Sequence, residues 1–380
     1  MTPPRLVSID VFRGLTMAAM VIVNNPGDWG HVYAPLLHAP WHGLTPTDLI
    51  FPFFLFIVGV SITLAKRSSA TYATILRRAL LIFALGMLLA LYPRFDFSTV
   101  RIPGVLQRIA VCYLAVASIH RFASTDGTTN LQRAYGAFVG GLFLSYLHWT
   151  WLGADLSPDG NVGARIDRWV FGDHLWRQSR TWDPEGLFST IPAIGTTMMG
   201  VSAGYVMASL ETERFKLRLL TLMGVLSLAL GSAWSFILPL NKSLWTGSYV
   251  LVTAGLALLL LAALRWGLDR DEPPRPRDPW GRPDRTPEPL PRRLAHPFII
   301  MGRNALLLFV VSGLLAKTLG LIRVDNGQGG TLALGRWIYL SWFAPLADPK
   351  NASLLYAFAN LAVLFLLLWW LHRRRWYFKV

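Results

Sequence analysis

Ten apolar segments of this chain are each long enough to cross a lipid bilayer. Because bilayer hydrocarbon is about 30 Å thick, a spanning α-helix needs roughly 20 mainly apolar residues. The segments lie near residues 9–25, 48–65, 77–92, 104–119, 131–151, 188–208, 217–238, 245–264, 297–321 and 353–372. Hydrophobic residues make up 53% of the chain and charged residues only 15%. We therefore predict an all-α fold, a polytopic transmembrane helix bundle with about ten spans.

Basic residues in the connecting loops predict the orientation of the bundle. If the N-terminus is cytoplasmic, roughly 23 of the 36 basic residues lie on that side, and the positive-inside rule then places both chain ends in the cytoplasm. The inner group comprises Arg5, Arg13, Lys66, Arg67, Arg77, Arg78, Arg121, Arg133, Arg214, Lys216, Arg218, the 265–293 loop, Arg373–Arg375 and Lys379. We assign the net charge of +15 to topology and contact with membrane lipids, and not to nucleic-acid binding.

Three segments between the spans have distinct compositions. Residues 269–293 are rich in Pro, Arg and Asp, which predicts a cytoplasmic linker between a core at 1–268, with eight spans, and 294–380, with the last two spans of the same domain. Residues 152–187 form the longest outer loop, and loops of that length are often functional. Residues 337–347 are apolar but too short to span, which predicts an interfacial or re-entrant helix.

The segment after the first span carries the residues best suited to proton transfer. His31, His38 and His42 lie within twelve residues of one another, close to Asn24 and Asp48. Imidazole can accept and return a proton near neutral pH. A metal site and a merely interfacial role are the alternatives. Because a proline separates His38 from His42, the spacing does not favour metal ligation on a helix, and we predict no metal.

Other polar residues lie inside spans or at their mouths. Asp10 and Arg13 share a helix face, either as an internal ion pair or as the lining of a substrate or cofactor passage. Asp48 begins the second span, where it could cap the helix and also orient a histidine. Arg108 needs an anionic partner, either a carboxylate or a ligand phosphate.

The remaining polar pairs also have two interpretations. Asp183 and Glu185 before the sixth span are predicted to bind sugar hydroxyls or an amine, or to cap the helix. Asn241 and Lys242 occupy the same kind of position before the eighth span. Arg303 and Asn304 lie within the ninth span on the inner side, where a phosphate could be bound.

These motifs together resemble the heparan-alpha-glucosaminide N-acetyltransferase family of multipass acetyltransferases. The matching stretches, in family order, are Ser8–Gly14, Val23–Asn24, His38–Thr45, Asp48–Gly59, Arg101–Arg108, Asp183–Gly186 and Asn241–Trp245. The compact form is similar to the bacterial branch. The resemblance implies transfer of an acetyl group from cytoplasmic acetyl-CoA to an amino sugar or glycan across the inner (plasma) membrane. It also implies that the active-site histidine is His38 and that its partner is Asn24, with Asn25 as the alternative.

Our mechanistic hypothesis is direct transfer in a ternary complex. His38 removes a proton from the acceptor, Asn24 positions a reacting group or stabilises the oxyanion, and Asp48 or Asp10 orients the imidazole. A covalent acetyl-histidine is the variant. The predicted catalytic residues are His38, Asn24 and Asp48. The predicted acetyl-CoA-binding residues are Arg13, Arg108, Arg303 and Asn304. The predicted acceptor-binding residues are Asp10, Trp41, His42, Asp183, Glu185, Asn241 and Lys242.

Two other classes of protein compete with the acetyltransferase. A transporter of N-acetylglucosamine or a related amino sugar would use alternating access, often through internal repeats, and no clear repeat relates the first five spans to the last five. A purely structural membrane protein does not account for the polar residues at the span mouths. A homodimer is a further possibility, because the sequence does not determine the oligomeric state.

Overall fold

The computed structural model describes residues 6–65, 71–123, 127–269, 290–325 and 330–378. That part of the chain forms thirteen α-helices and one short hairpin. The helices are α1 (Val7–Asn24), α2 (Ile50–Leu64), α3 (Tyr72–Leu91), α4 (Val105–Ala123), α5 (Asn130–Leu152), α6 (Val162–Phe171), α7 (Thr190–Ala208), α8 (Glu213–Trp234), α9 (Gly247–Leu268), α10 (Leu290–Arg303), α11 (Ala305–Leu321), α12 (Leu334–Ile338) and α13 (Pro349–Arg373). The antiparallel strands are β1 (Arg323–Asp325) and β2 (Thr331–Ala333).

Eight of the described helices are long and apolar enough to cross a membrane. They are α1, α2 with its preceding turn, α3, α4, α7, α8, α9 and α13. The pair α10–α11 would supply a ninth span. α5 coincides with predicted segment 131–151, but its Trp, Tyr, His and Gly residues make it less apolar, and it is not among the eight. The prediction of an all-α polytopic membrane protein is confirmed, and each of the ten predicted segments coincides with helix to within a few residues.

The predicted ninth span is not one straight helix. α10 and α11 meet at Asn304 with a bend of 75°. The Asn304 backbone leaves the helical conformation, and its buried amide donates to the carbonyl of Trp376 at 3.2 Å and accepts from the backbone N–H of Phe378 at 3.0 Å. These contacts bind the C-terminal segment to the break. Arg303 and Asn304 therefore lie at a corner and not within a continuous span.

The linker prediction is partly outside the described residues, since 270–289 are not described. At its first residue, the Asp269 carboxylate accepts from the backbone N–H groups of Val7 at 2.9 Å and Ser8 at 3.2 Å. Asp269 thus supplies acceptors for the first turn of α1 from across the fold. α10 begins at Leu290, before the predicted end of the linker. The predicted short apolar segment 337–347 forms α12, a π-helical turn at Tyr339–Phe343 and a 3-10 turn at Ala344–Leu346.

α7 lies at the centre of the bundle and packs on α2 and α5, while α9 packs on α8 and beside α1. Glycines on both α2 and α7 permit this close packing. A Cβ added at Gly200 would lie 2.0 Å from the carbonyl oxygen of Phe56, and one at Gly59 would lie 2.0 Å from that of Thr197. Within a membrane, such small residues let helix backbones approach so that dispersion contacts stabilise the pair.

We expect Gly59→Ala to destabilise the protein, because the added methyl group would collide with the backbone of α7. Overpacking of this kind costs about 1–3 kcal/mol. The measurement is the temperature at which detergent-solubilised protein loses its monodisperse peak in size-exclusion chromatography. Gly136→Ala is the matched control, since a Cβ at Gly136 meets nothing within 4 Å. Equal thermal stability of the two variants would contradict the α2–α7 contact.

Candidate active site

His38 and Asp48 form a hydrogen-bonded pair at one end of the bundle, which we call the His38 end. The Nδ1 atom of His38 lies 2.6 Å from Oδ1 of Asp48. The imidazole is about half exposed, whereas the Asp48 carboxylate is 1% exposed. With the carboxylate as acceptor, Nδ1 carries the proton and Nε2 is left as a base. The arrangement can therefore remove a proton from a molecule that reaches the exposed side of the imidazole.

The turn before α2 fixes the Asp48 carboxylate. Its Oδ2 atom accepts from the backbone N–H of Ala39 at 3.1 Å and from the N–H and hydroxyl of Thr45 at 3.0 Å each. Thr45 and Asp48 form a capping box around a 3-10 turn at Pro46–Leu49. The Tyr249 hydroxyl donates to the Asp48 carbonyl at 2.6 Å, which joins this turn to α9. Asp48 thus caps the helix and also binds the histidine, as the sequence suggested.

The loop between α8 and α9 covers the other side of the imidazole. The Lys242 Nζ atom lies 3.2 Å from each ring nitrogen of His38. Asn241 is fully buried, and its amide nitrogen lies 3.2 Å from Nδ1 of His42. The Gly43 N–H donates to the Leu240 carbonyl at 2.8 Å. The structure therefore brings together His38, His42, Asp48, Asn241 and Lys242 from sequence positions about 200 residues apart.

The carboxylates predicted to bind an acceptor are buried and paired. Nε of Arg101 donates to Asp183 at 2.8 Å, and one terminal nitrogen of Arg101 donates to both Asp183 and Glu185. The Glu185 N–H also donates to the Asp183 carboxylate at 2.9 Å. Arg101 therefore neutralises much of the charge that an acceptor amine was expected to use. The sequence did not indicate this pairing, because the residues are more than 80 positions apart.

Arg108 lies behind this group and is 2% exposed. It donates to the Gly186 carbonyl at 2.9 Å and to the Ser189 hydroxyl at 2.5 Å, and its guanidinium carbon lies 5.1 Å from the centroid of Trp245. Arg108 thus has neutral hydrogen-bond partners and also lies near the negative charges of Glu185 and Asp183. Arg108 was predicted to bind acetyl-CoA, and the structure places it at the His38 end, within the protein.

Three tryptophans form an aromatic wall at the His38 end. The ring centroids of Trp41 and Trp182 lie 5.0 Å apart, and those of Trp182 and Trp176 lie 5.5 Å apart, both pairs edge to face. The Trp41 indole donates to the Leu156 carbonyl at 2.8 Å, which fixes the ring against the long loop. Trp41 was the only one of the three predicted as an acceptor contact. Tryptophan rings offer an apolar face with a polar edge, which suits a ligand that is itself amphipathic.

Asp167 on α6 is a buried carboxylate that the sequence reading missed. It is 3% exposed and accepts from the Leu187 N–H at 2.8 Å. Burial, assisted by the nearby Asp183 charge, raises the pKa of Asp167 to about 6. Gly186 permits the contact, since a Cβ there would lie 1.9 Å from Oδ2 of Asp167. The sequence signal that could have identified Asp167 was its acidic side chain within a helix of the long loop at 152–187.

We expect Asp167→Asn to stabilise the protein at pH 7.5. The folded-state pKa lies above the ordinary value of 3.8, so the stability contributed by the protonated group is present below about pH 4 and is lost as pH rises to about 6. An asparagine avoids this loss, which amounts to up to about 3 kcal/mol at roughly 1.4 kcal/mol per pKa unit. The measurement is thermal unfolding in detergent at pH 7.5 and pH 4, where the advantage should disappear. Asp173→Asn, at an exposed position in the same loop, is the control, and a lower unfolding temperature for Asp167→Asn at pH 7.5 would contradict the assignment.

A large cavity opens at the opposite end of the bundle, which we call the arginine end. Its volume is about 630 Å³, in the range of small-molecule and cofactor sites. Its basic lining residues are Arg13, Arg77, Arg78, His120, Arg121 and Arg303. Its wall also includes Leu106, and the α4 segment from Leu106 to Arg121 corresponds to about 22 Å of helix. The cavity therefore extends along most of a span.

Apolar residues separate this cavity from the His38 end. Phe54 and Ile109 line the cavity and also pack on a buried cluster that contains Phe51, Trp245 and Tyr249. Tyr249 in turn donates to the Asp48 carbonyl. The end of the cavity that lies deepest in the bundle and the His38–Asp48 pair are thus on opposite sides of one apolar cluster.

Two predicted acetyl-CoA-binding residues line the cavity. Arg13 donates to the Ser61 hydroxyl at 2.9 Å, and its Nη1 atom lies 3.6 Å from the Asp10 carboxylate. Nε of Arg303 lies 3.7 Å from the same carboxylate. Asp10 is therefore an ion-pair partner at the arginine end, as one of its two interpretations held. Of the two carboxylates that could orient the imidazole, Asp48 is the one that contacts His38. Asn304 is not part of the lining.

Three other arginines of the cavity were not predicted as ligand contacts. Arg77, Arg78 and Arg121 were interpreted only as topological charges. Arg78 lies over the Tyr113 ring at 5.5 Å, and Arg121 lies over the Tyr72 ring at 5.9 Å. The available signal was their place near helix ends, on the side that the positive-inside rule predicts to be cytoplasmic. The packing of α3 against α4 gathers the three arginines around one cavity.

The other histidines of the segment that follows α1 have partners of their own. Nδ1 of His31 lies 3.0 Å from Asp28, and His42 contacts Asn241. Within the described ranges, no group of three or more histidine, cysteine or acidic side chains is placed to hold a metal ion. Asn24 ends α1 with an exposed side chain, and its predicted role stays a prediction.

Comparison with known proteins identifies the family. Residues 5–238 match the model of the heparan-alpha-glucosaminide N-acetyltransferase catalytic domain. The chain is 30% identical over 325 residues to heparan-alpha-glucosaminide N-acetyltransferase of Homo sapiens, covering 69% of this chain and 48% of the human protein. It is 29% identical over 323 residues to the protein of that name from Mus musculus, covering 68% of this chain and 49% of the mouse protein. The chain thus spans about half the length of these curated relatives, and it belongs to the heparan-alpha-glucosaminide N-acetyltransferase catalytic family.

Proposed function

We propose that this protein is a membrane-embedded acetyltransferase that moves an acetyl group from acetyl-CoA to an amino sugar or glycan, with His38 as the general base. The observation that carries the proposal is the arginine-lined cavity that extends from one end of the bundle toward the His38–Asp48 pair at the other. Arginines bind phosphate groups through charge-assisted hydrogen bonds. The apolar wall beyond them suits the long arm that carries the thioester of acetyl-CoA. The names of the relatives support the reaction class.

The proposed orientation follows from charge. The arginine end faces the cytoplasm, where acetyl-CoA is made, and the His38 end faces the opposite side of the inner membrane. The acceptor lies between the aromatic wall of Trp41 and Trp182 and the His38 imidazole. The thioester reaches the same imidazole through the layer that contains Phe54 and Ile109. Membrane lipids surround the exposed helix faces, and no metal takes part in this scheme.

The experiment is an acetylation assay with purified protein in detergent. Acetyl-CoA and a panel of amino sugars and glycans are incubated with the protein, and products are identified by mass spectrometry. We expect at least one panel member to gain an acetyl group on nitrogen together with release of CoA. Release of CoA at the rate of a protein-free blank for every acceptor would contradict the proposal.

One observation favours a second candidate, a carrier of N-acetylglucosamine or a related amino sugar. Broken helices often form substrate sites in transporters, and α10–α11 is bent by 75° at Asn304. Uptake of labelled sugar into protein-containing vesicles without any acyl-CoA would support the carrier. Absence of uptake together with acetyl transfer would exclude it as the main function.

A further inference from the structure

Lys242 has a position in the site that its predicted role as an acceptor contact does not explain. Its Nζ atom is 3.2 Å from Nδ1 and 3.2 Å from Nε2 of His38. It therefore lies within hydrogen-bond distance of the nitrogen that acts as the base, and an acceptor that binds at Nε2 takes the place of this contact. An acyl group in transfer to an acceptor bound at Nε2 would be within reach of this amine.

The loop that carries Lys242 is rigidly held. The Asn241 side chain accepts from the Leu244 N–H at 2.8 Å, and the Thr246 hydroxyl donates to the Pro239 carbonyl at 2.9 Å. Trp245 has a left-handed backbone conformation with φ of 53°, which costs energy for a residue other than glycine. Its buried indole donates to the Thr196 hydroxyl at 3.0 Å, which holds that conformation. The backbone that carries Lys242 is thus held in place by contacts of its neighbours.

Several charges face Lys242 from the elements around it. Burial lowers the pKa of the Lys242 ammonium, and Arg108 and Arg101 act in the same direction. Glu185 and Asp48 oppose them. Those two carboxylates are already engaged, since Glu185 binds Arg101 and Asp48 binds His38 and the Thr45 turn. An additional negative charge beside Lys242 would consequently be favourable.

We propose that the Lys242 ammonium stabilises the negative charge that forms on the acetyl carbonyl oxygen during transfer. The inference rests on the proposed acetyltransferase function and deepens it. The sequence hypothesis gave this role to Asn24. Asn24 is exposed at the end of α1, and none of its described contacts is with His38, whereas Lys242 touches the imidazole.

Acetyl transfer passes through one tetrahedral intermediate. The acceptor nitrogen attacks the thioester carbon and a C–N bond forms. A proton of that nitrogen passes to Nε2 of His38. The carbonyl oxygen becomes an oxyanion that accepts a hydrogen bond from Lys242. The intermediate then collapses, the C–S bond breaks, and the departing thiolate of CoA takes the proton from the imidazolium. No oxidant or additional reactant is required.

The test compares Lys242→Met and Lys242→Arg with Lys350→Met in the mass-spectrometric acetylation assay. Lys350 lies in the first turn of α13, and its described contact is with the Tyr33 ring and not with His38. We expect Lys242→Met to lower kcat about 10²-fold, as loss of an oxyanion donor does, with the KM for acetyl-CoA changed less than about threefold. Lys242→Arg should restore part of kcat because it keeps the charge, and Lys350→Met should match wild type.

The pH profile supplies a readout that a merely structural lysine would not move. Activity of the wild type should fall at alkaline pH as the ammonium loses its proton. The fall should move to higher pH in Lys242→Arg, whose guanidinium stays charged. A kcat of Lys242→Met within threefold of wild type, a change in KM alone, or equal kcat values for the Met and Arg variants would each overturn the inference. If the wild type is active, any of these outcomes overturns the role of Lys242 but leaves the proposed acetyltransferase function standing. If the wild type is inactive, both the role of Lys242 and the proposed function are wrong.

Discussion

We expect His38→Gln to lower kcat for acetyl transfer by at least about 10³-fold, because the variant loses the group that accepts the acceptor proton. Glutamine can still accept and donate hydrogen bonds in the place of the imidazole, so the turn around Asp48 should be retained. The KM for acetyl-CoA should change little, since the proposed binding cavity lies beyond the apolar cluster. The measurement is steady-state release of CoA with the best acceptor of the panel.

His31→Gln is the matched control for this substitution. His31 is as exposed as His38 and has the same kind of bond, with Nδ1 3.0 Å from the Asp28 carboxylate. It differs in its surroundings, because Asp28 also lies 3.4 Å from Arg336 on α12, whereas the second neighbour of His38 is Lys242. Activity near wild type is therefore expected for His31→Gln. If His38→Gln kept more than a tenth of the wild-type kcat, both the general-base and the acetyl-histidine mechanisms would be wrong.

The second large effect is expected for Asp48→Asn. The asparagine oxygen can replace the carboxylate oxygen that accepts from Ala39 and Thr45, so the capping turn should persist. Its amide group would then donate to Nδ1 of His38, which would move the ring proton to Nε2 and remove the base. We expect kcat to fall about 10²–10⁴-fold with little change in the unfolding temperature. The measurement combines CoA release with thermal unfolding of the same preparation.

Asp28→Asn is the corresponding control, because it changes the carboxylate of the other histidine pair at the same end. Its kcat should stay within a few-fold of wild type. A loss of activity in Asp48→Asn that is accompanied by a large loss of stability would show that Asp48 acts only as a helix cap. An unchanged kcat would show that the His38–Asp48 bond has no role in the reaction.

The helices were predictable because each depends on local composition. Apolar runs of about 20 residues are sufficient to identify a span, and α1, α7 and α9 lie where the sequence placed them. The contact between His38 and Asp48 was also accessible, since ten residues and one capping turn join them. The break at Asn304 was not, because its cause is a tertiary contact with the C-terminal segment.

The sequence also did not show that the predicted site residues divide between the His38 end and the arginine end, because tertiary contacts determine that division. Arg101 binds Asp183 and Glu185 across more than 80 residues, and Lys242 meets His38 across 204. No local pattern specifies such pairs, which depend on how α4, α7 and α9 pack. The positive-inside rule predicted a cytoplasmic position for Arg77 and Arg121, but it did not show that α3 and α4 arrange them around one cavity.

The central claim is that the acyl group crosses the bundle from the arginine end to the His38 end. The most direct measurement uses sealed vesicles that contain the protein, with labelled acetyl-CoA outside and the best acceptor either outside or trapped within. External acetyl-CoA reaches only those molecules whose cavity faces outward. We predict labelled N-acetylated product when the acceptor is inside, and none above a protein-free control when it is outside. Product formed only when acetyl-CoA and acceptor share one side would contradict the claim.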